Sequence, residues 1–227
     1  MPNHVRNVVK FEQLDEGKTV SELLREIHGE EENQYISFNK IIPMAEELDI
    51  NSGSKMYISR DIYRWKKGEI LEEDELRHMH ICADDKDNTL TDEEAAEKCI
   101  SSGIADMKLA KQTFENEKKY GYPDWYNWRI ANWGTKWDAY DQYQVDDSTI
   151  AFNTAWSDPT PVVRKLAKDN TNMRIDHKFA DEMPNFVGHT VYERGEKVYD
   201  QIYYEEKDQD KVDELYGYCW SDNVMPD

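Results

Sequence analysis

A Gly-Lys-Thr triplet at residues 17–19 stands between a predicted strand and a predicted helix, the setting of a phosphate-binding loop. Such a loop also needs a glycine five residues before Gly17, and the chain has Glu12 there. The acidic residues at positions 15 and 16 would in addition repel a phosphate. We therefore interpret Thr19, with Glu22 three residues later, as a helix cap rather than as part of a nucleotide site.

The segment "RHMHICADD" places His78, His80 and Cys82 at alternate positions, which could serve a zinc ion. On a strand all three side chains would share one face, whereas on a helix only His78 and Cys82 would. The other histidines are scattered and form no second pair at metal spacing. We predict no metal site and no cofactor.

The acidic stretch from Asp85 resembles a calcium loop in its carboxylates alone. Its sixth position is Leu90 instead of glycine, and its twelfth is Ala96 instead of glutamate. The stretch is more typical of a solvated turn that leads into a helix, with Thr91 and Glu94 as a capping box.

Motifs of known catalytic chemistry are absent from the sequence, including nucleophile elbows, paired-histidine zinc motifs and dinucleotide fingerprints. His177, Asp181 and Glu182 could meet beside a pocket, but no spacing singles them out. We predict no catalytic residue and favour a protein that is not an enzyme.

Charge is the strongest signal in the composition, since the chain of 227 residues has a formal net charge of -20. Residues 69–94 contain 11 acidic side chains and only Arg77 and Lys86 as basic ones. Such a surface repels nucleic acid and anionic membranes and attracts basic proteins. The expected partner is thus a basic protein. No apolar run is long enough for a membrane span, and three cysteines without a spacing pattern fit a reducing cytoplasm.

Periodicity predicts the elements that would carry these residues. Strands are expected over 5–11, 33–43, 149–157 and 173–179, with helices over 20–27, 158–170 and 211–219 and a hairpin that turns at Arg194-Gly195. Residues 46–123 have a helical pattern, which includes one long amphipathic run from Thr91 to Phe114. We divide the chain into a first βαβ half over 1–45, an acidic helical insertion over 46–127 and a C-terminal part over 128–227, in one compact unit.

Two βαβ halves around one sheet predict an α+β fold, a ferredoxin-like split βαβ sheet with a helical insertion, an added C-terminal hairpin and a terminal helix. The repeated strings "ISFN" at 36–39 and "IAFN" at 150–153 are weak support for two related halves.

Tryptophans are concentrated in "NWRIANWGTKWDAYD" at 127–141. The block could be core or a platform for a basic partner, and we favour core, with Trp128 and Trp137 buried in one junction on either side of Gly134. Substitution Trp137→Ala is then expected to destabilise the fold strongly. The candidate partner-binding residues are Glu72, Glu73, Asp74, Glu75, Trp133, Trp137, Asp138 and Asp141.

Several of these segments resemble the YubB-like family carried by plasmids and prophages. They are "MPNHVRN", "ISFNKIIPM", "KYGYPDWYNWRIANWGTKWDAYD" and "IAFNTAWSDPTPVV", with the acidic middle segment matching least. The resemblance implies a ferredoxin-like C-terminal domain and an origin on a mobile element. It implies no established activity.

We therefore expect an acidic accessory protein of a mobile element that binds a host protein, as a nucleic-acid mimic or an inhibitor of a defence system. The alternative is a small-molecule sensor or enzyme with a pocket between the sheet and the helical insertion. A cleft in which His177, Asn153 and Lys136 converge would favour that alternative.

Overall fold

The computed structural model describes residues 3–87, 89–183 and 185–221. The chain divides into two compact units, the first formed by 1–43 with 129–227 and the second by 44–128. We call them the sheet unit and the helical unit. The units meet at residues 43/44 and 128/129, and the division expected from the sequence stays a prediction.

The sheet unit holds six described strands and four helices. They are β1 (His4–Gln13), α1 (Val20–Ile27), α2 (Phe38–Ile41), β2 (Tyr140–Asp146), β3 (Thr149–Ala155), α8 (Thr160–Asp169), β4 (Met173–Asp181), β5 (Val187–Glu193), β6 (Glu196–Tyr203) and α9 (Glu205–Cys219). The helical unit holds a short 3-10 helix at Glu46–Leu48 and the helices α3 (Ser54–Lys66), α4 (Glu73–Cys82), α5 (Asp92–Ser101) and α6 (Met107–Tyr120). A further helix, α7 (Trp125–Trp133), includes the boundary between the units.

The strands form one sheet in the order β2-β3-β1-β4-β5-β6, and all neighbours are antiparallel. Its first four strands arise from two βαβ crossovers, β1-α1-β2 and β3-α8-β4, which is the split arrangement of a ferredoxin-like fold. The hairpin strands β5 and β6 extend the sheet beyond β4. The predicted fold class is confirmed. The helical unit is an insertion into the first crossover, between α1 and β2.

The strand predicted over 33–43 is wrong, because residues 38–41 form the short helix α2. The carboxylate of Asp138 accepts hydrogen bonds from the Phe38 backbone N–H at 2.7 Å and from the Ser37 hydroxyl at 3.1 Å. A group 100 residues away thus stabilises the start of this helix. The second strand of the split βαβ unit is β2 instead. The repeated strings "ISFN" and "IAFN" are consequently not structural equivalents.

Two layers of helix cover the sheet. Helix α9 packs on β1, β4, β5 and β6 through Val212, Leu215 and Cys219, against Val8, Ala151, Ala180 and Val187. Neighbouring strand positions point to the opposite face, where α8 packs on β4 and β5. Most of the buried apolar side chains of the strands are β-branched or aromatic, as expected for a sheet enclosed on both faces.

The hairpin between β5 and β6 turns at Arg194 and Gly195, whose φ angles of 52° and 82° are both positive, as a two-residue turn requires. This part of the sequence prediction is confirmed.

The predicted long run from Thr91 is instead two helices, α5 and α6, because Gly103 adopts a φ of 76° between them. The core of the helical unit joins Ile58 and Ile62 of α3 to residues of α4 and α5, namely Met79, Ala95, Ala96 and Cys99. Within the described ranges, no helix has the length and hydropathy of a membrane span.

Candidate functional site

The acidic segment of residues 69–94 occupies α4, the loop after it and the first turn of α5; we call its surface the acidic face. Several of its carboxylates have structural partners. Glu75 accepts hydrogen bonds from the Glu72 backbone N–H at 2.9 Å and from Arg64 Nη1 at 2.7 Å, while Glu69 accepts from Arg64 Nε at 2.9 Å. The bond with the Glu72 backbone and the pairing with Arg64 lower the pKa of Glu75. Glu72 and Glu75 are therefore parts of the start of α4 as well as of the surface, and Glu69 is tied to α3 through Arg64.

Glu73 and Asp74 lie in the same turn, and both are exposed. Asp74 pairs with Arg77 at 3.1 Å, and both of those side chains are largely solvated. Pairs of this kind contribute little to stability. Glu73 and Asp74 are consequently the carboxylates of the predicted set that a partner could engage without disturbing the helix cap.

A histidine holds the loop that follows α4. His80 Nδ1 lies 2.7 Å from Asp85 Oδ2, and His80 Nε2 lies 3.0 Å from Asp92 Oδ1. Two carboxylates at the two ring nitrogens favour the doubly protonated imidazolium, which is a donor at both sites. The bonds to Asp92 and to Asp85 accordingly raise the pKa of His80. Its partner Asp85, which also accepts from the backbone N–H groups of Thr89 and Leu90, has its pKa lowered to about 2.

We call the contact of His80 with Asp85 and Asp92 the histidine clamp. The other residues considered for metal binding are not part of it. His78 Nε2 and Cys82 Sγ lie 3.5 Å apart on α4, as expected for a helix, and His80 does not join them. Across the residues with assigned positions, no group of three or more histidine, cysteine or acidic side chains could hold a metal ion.

Apolar side chains interrupt the acidic face. Ile70 is 94% exposed and Ile81 is 65% exposed, although both are large aliphatic residues. Ile81 and Leu76 line a surface cleft of about 610 Å³ whose other walls include Glu73, Asp84 and Asp92. The face thus combines dense negative charge with apolar contact area. The sequence showed the charge, but it did not identify Ile70 and Ile81, since helical spacing alone places Ile81 neither clearly inside nor outside.

The tryptophan block divides between core and surface. Trp133 is 1% exposed, donates from Nε1 to the Ile42 carbonyl at 2.9 Å and packs edge to face on Phe38. Trp137 is 37% exposed, so the expectation that it is buried in a junction with Trp128 is wrong. Gly134 separates the two with a φ of 82°, and a Cβ there would lie 2.7 Å from Pro161. Of the two predicted partner-binding tryptophans, only Trp137 reaches the surface.

The Lys136 ammonium group lies over two exposed tryptophan rings. Its Nζ lies 4.7 Å from the ring centre of Trp137 and 5.0 Å from that of Trp156, which is 48% exposed. The Asp138 carboxylate accepts the hydrogen bond from the Phe38 backbone N–H at the start of α2, and burial raises the pKa of Asp138. Asp141 is exposed at the start of β2. Of the acidic residues predicted near the tryptophans, Asp141 alone is therefore presented to a partner.

The polar residues considered for a catalytic or ligand site do not converge. His177 is buried on β4 with its Nε2 2.9 Å from Asn7 Oδ1, and desolvation lowers its pKa to about 3. Asn153 lies on the opposite face of the sheet, where it donates to Asp141 at 3.2 Å. Asp181 stands four residues along β4 from His177, about 13 Å away at strand spacing. This arrangement is that of a structural buried histidine.

The Gly-Lys-Thr triplet is a helix cap, as predicted. The Thr19 hydroxyl accepts from the Glu22 backbone N–H at 3.2 Å, and Glu22 accepts from the Thr19 backbone N–H at 2.8 Å. Lys18 pairs with Glu26. The Thr19 hydroxyl and backbone N–H are therefore used in the helix cap, and the Lys18 ammonium group is held by a carboxylate.

Comparisons with known proteins bear on the sheet unit. Residues 132–217 match the family model described as a ferredoxin-like domain in Api92-like protein, which is less than half of the chain. A solved structure, protein api92 from Yersinia pseudotuberculosis, is 12% identical and covers 89% of this chain and 98% of its own, with a TM-score of 0.42. The search of curated proteins gives no match. The C-terminal part of the chain is thus a ferredoxin-like domain similar to that of Api92-like proteins.

Proposed function

We propose that this chain is a binding protein whose acidic face takes up a basic, partly apolar segment of another protein. The observation that carries the proposal is the exposure of Ile70 and Ile81 among the 11 acidic residues of 69–94. Charge alone is common on soluble proteins; here it coincides with two large aliphatic side chains that are 94% and 65% exposed and would add apolar contact area to the charged surface.

The carboxylates and the exposed isoleucines would contribute to binding in different ways. The carboxylates attract and orient a basic partner over a distance of about a Debye length, roughly 8 Å at physiological salt. Burial of the isoleucines would supply part of the affinity, because it removes apolar surface from water. The cleft beside Ile81 offers an apolar side chain of the partner a place to insert. Nucleic acid and anionic membranes lack the basic groups for this face.

The biological setting is part of the same proposal. The resemblance to proteins of plasmids and prophages supports an accessory protein of a mobile element that binds a host protein in the cytoplasm. The net charge of -20 supports imitation of nucleic acid or inhibition of a defence system, since the host proteins that act on nucleic acid are basic. The free thiols of Cys82, Cys99 and Cys219 are compatible with a reducing compartment.

Capture of partners by the tagged chain tests the proposal. The informative variant neutralises four exposed carboxylates that do not cap α4, by Glu73→Gln, Asp74→Asn, Asp84→Asn and Asp87→Asn. Glu72 and Glu75 are retained, because their loss would damage the helix start. A second variant, Ile81→Ser, removes apolar contact and leaves the charge. We expect a basic host protein to be captured by the parent chain and bound about tenfold more weakly by each variant, with unchanged unfolding temperature.

The matched control removes the same four charges from α9, by Glu205→Gln, Glu206→Gln, Asp210→Asn and Asp213→Asn, all at exposed positions. It should bind like the parent chain. If no basic protein is enriched, or if the α9 control loses as much affinity as the α4 variant, the acidic face is not the binding surface.

A further inference from the structure

We propose that the outer edge of β2 binds an extended, basic segment of another protein as an added strand. This site lies on the sheet unit and is separate from the acidic face, so that it goes beyond the function proposed above. Strand addition uses the unpaired backbone groups of a sheet edge for affinity and the flanking side chains for specificity.

The residues that line a groove along β2 indicate that this groove follows the hydrogen-bonding edge of the strand and not one face of the sheet. Six consecutive residues, 139–144, line one cleft of about 700 Å³, whose other wall is formed by Glu31, Asn33, Gln34 and Tyr35. Successive side chains of a strand point to opposite faces of a sheet, so a cleft on one face would be lined by alternate residues. Consecutive lining is expected where a cleft follows the hydrogen-bonding edge.

That edge has no strand beside it in the described chain, because β2 is the first strand of the sheet order. One side chain already shows what the edge can bind. The Gln142 amide accepts from the Ile36 backbone N–H at 2.8 Å and donates to the Ala139 carbonyl at 2.8 Å. A peptide group of an added strand offers the same two kinds of group, one donor and one acceptor, that the Gln142 amide already binds here.

The groove is long enough for a peptide. A second cleft of about 560 Å³ shares Tyr35 and Gln144 with the first and continues between α1 and the β2-β3 hairpin. Leu24 and Ile150 supply apolar surface in this second part. Six residues in extended conformation span about 20 Å, so the first cleft alone accommodates a strand of ordinary length.

The charged residues that line the groove determine which kind of peptide it would bind. Glu31 and Asp141 are the charged residues that line the first cleft, and both are exposed. Asp147 stands in the second cleft with Arg25. Lysine or arginine at alternate positions of an added strand would meet Glu31 and Asp141. A second copy of β2 would bring like charges together, and the register shifts around Tyr143 and Gln144 further restrict pairing between two such edges. The occupant is thus a basic segment of a different protein.

Selection of displayed 12-residue random peptides on the full chain tests the proposal, followed by hydrogen exchange with the strongest synthetic peptide. We expect enriched peptides with lysine or arginine at alternate positions and β-branched residues between them. Bound peptide should slow exchange by about tenfold or more at those backbone N–H groups of 140–144 that point away from β3, because these groups gain hydrogen bonds. The opposite edge, β6, serves as the internal control and should keep its exchange rates.

A charge variant and its counterpart on β6 complete the test. Glu31→Lys with Asp141→Asn should weaken the selected peptide about tenfold without lowering the unfolding temperature, since asparagine tolerates the positive φ of 46° at position 141. Glu196→Lys with Asp200→Asn on β6 should have no effect on binding. The proposal is overturned if no peptide is enriched, if exchange slows at β6 or on the acidic face instead, or if both variant pairs weaken binding equally. None of these results depends on the acidic face of α4, whose own variants report on it independently.

Discussion

At the scale of single residues, the two tryptophans on either side of Gly134 have different roles despite similar sequence surroundings. Trp133 is enclosed, with its indole N–H bonded to Ile42 and its ring on Phe38. Trp137 rests on the surface against Tyr140 and beneath Lys136. Stability should therefore depend on Trp133, and partner contact can depend only on Trp137.

We predict that Trp133→Ala lowers the free energy of unfolding by about 3 to 5 kcal/mol, the usual cost of removing a buried indole. Trp137→Ala should cost no more than about 1.5 kcal/mol, because only ring contacts at the surface are lost. Urea unfolding of both variants measures the difference. Equal losses would show that Trp137 contributes as much to the core as Trp133 does.

At the scale of elements, α4 and α5 are joined through the loop that His80 fastens. The imidazolium is bonded to Asp85 in the loop and to Asp92 at the first position of α5, and it lies in the last turn of α4, where a cation also favours the helix dipole. The acidic residues that resembled a calcium loop in the sequence are thus the partners of a histidine.

This clamp predicts a pH dependence with a definite sign. The pKa of His80 is raised in the folded protein above the ordinary value of about 6.5. Its stabilising contribution is therefore complete below pH 6.5 and is lost as the pH rises through the folded pKa. The parent chain should exceed His80→Gln in unfolding temperature at pH 6, and the difference should shrink at pH 9.

Imidazole resonances measured by NMR provide the direct check. The His80 signal should titrate with a midpoint above pH 6.5. The His177 signal should not titrate between pH 5 and pH 9, since burial lowers its pKa to about 3. A His80 midpoint at or below 6.5 would mean that the two carboxylates do not hold the ring as described.

At the scale of the whole molecule, net charge opposes the compact state. The formal net charge is -20, and the acidic side chains lie closer together in the folded chain than in the unfolded chain. Their mutual repulsion is therefore stronger in the folded chain. Many ion pairs among the described residues join exposed side chains, and those pairs offset little of this repulsion.

We predict that raising sodium chloride from about 0.02 M to about 0.5 M increases the unfolding temperature, because the Debye length falls below the spacing of most surface charges. The variant that loses four carboxylates around α4 should respond less than the parent chain. Calorimetry at constant pH checks both, and a fall in the unfolding temperature with salt would show that specific ion pairs outweigh general repulsion.

The sequence by itself determined those parts of the protein that depend on neighbours along the chain. The capping boxes at Thr19 and Thr91, the turn at Arg194-Gly195 and the apolar spacing of α8 and α9 are local features, and the structure has each of them. The ferredoxin-like fold class could be predicted because alternating strands and helices restrict the topology to few solutions.

Only the tertiary structure decided what depends on contacts between distant residues. Residues 38–41 form a helix because Asp138 accepts their first backbone N–H, which no local pattern contains. Whether Trp133 or Trp137 is buried depends on Phe38 and Ile42, more than 90 residues earlier. The open edge of β2 and the exposure of Ile81 likewise follow from which elements pack beside them. Burial and pairing are properties of the assembled fold, and for this reason the candidate surfaces could be described only after the fold was known.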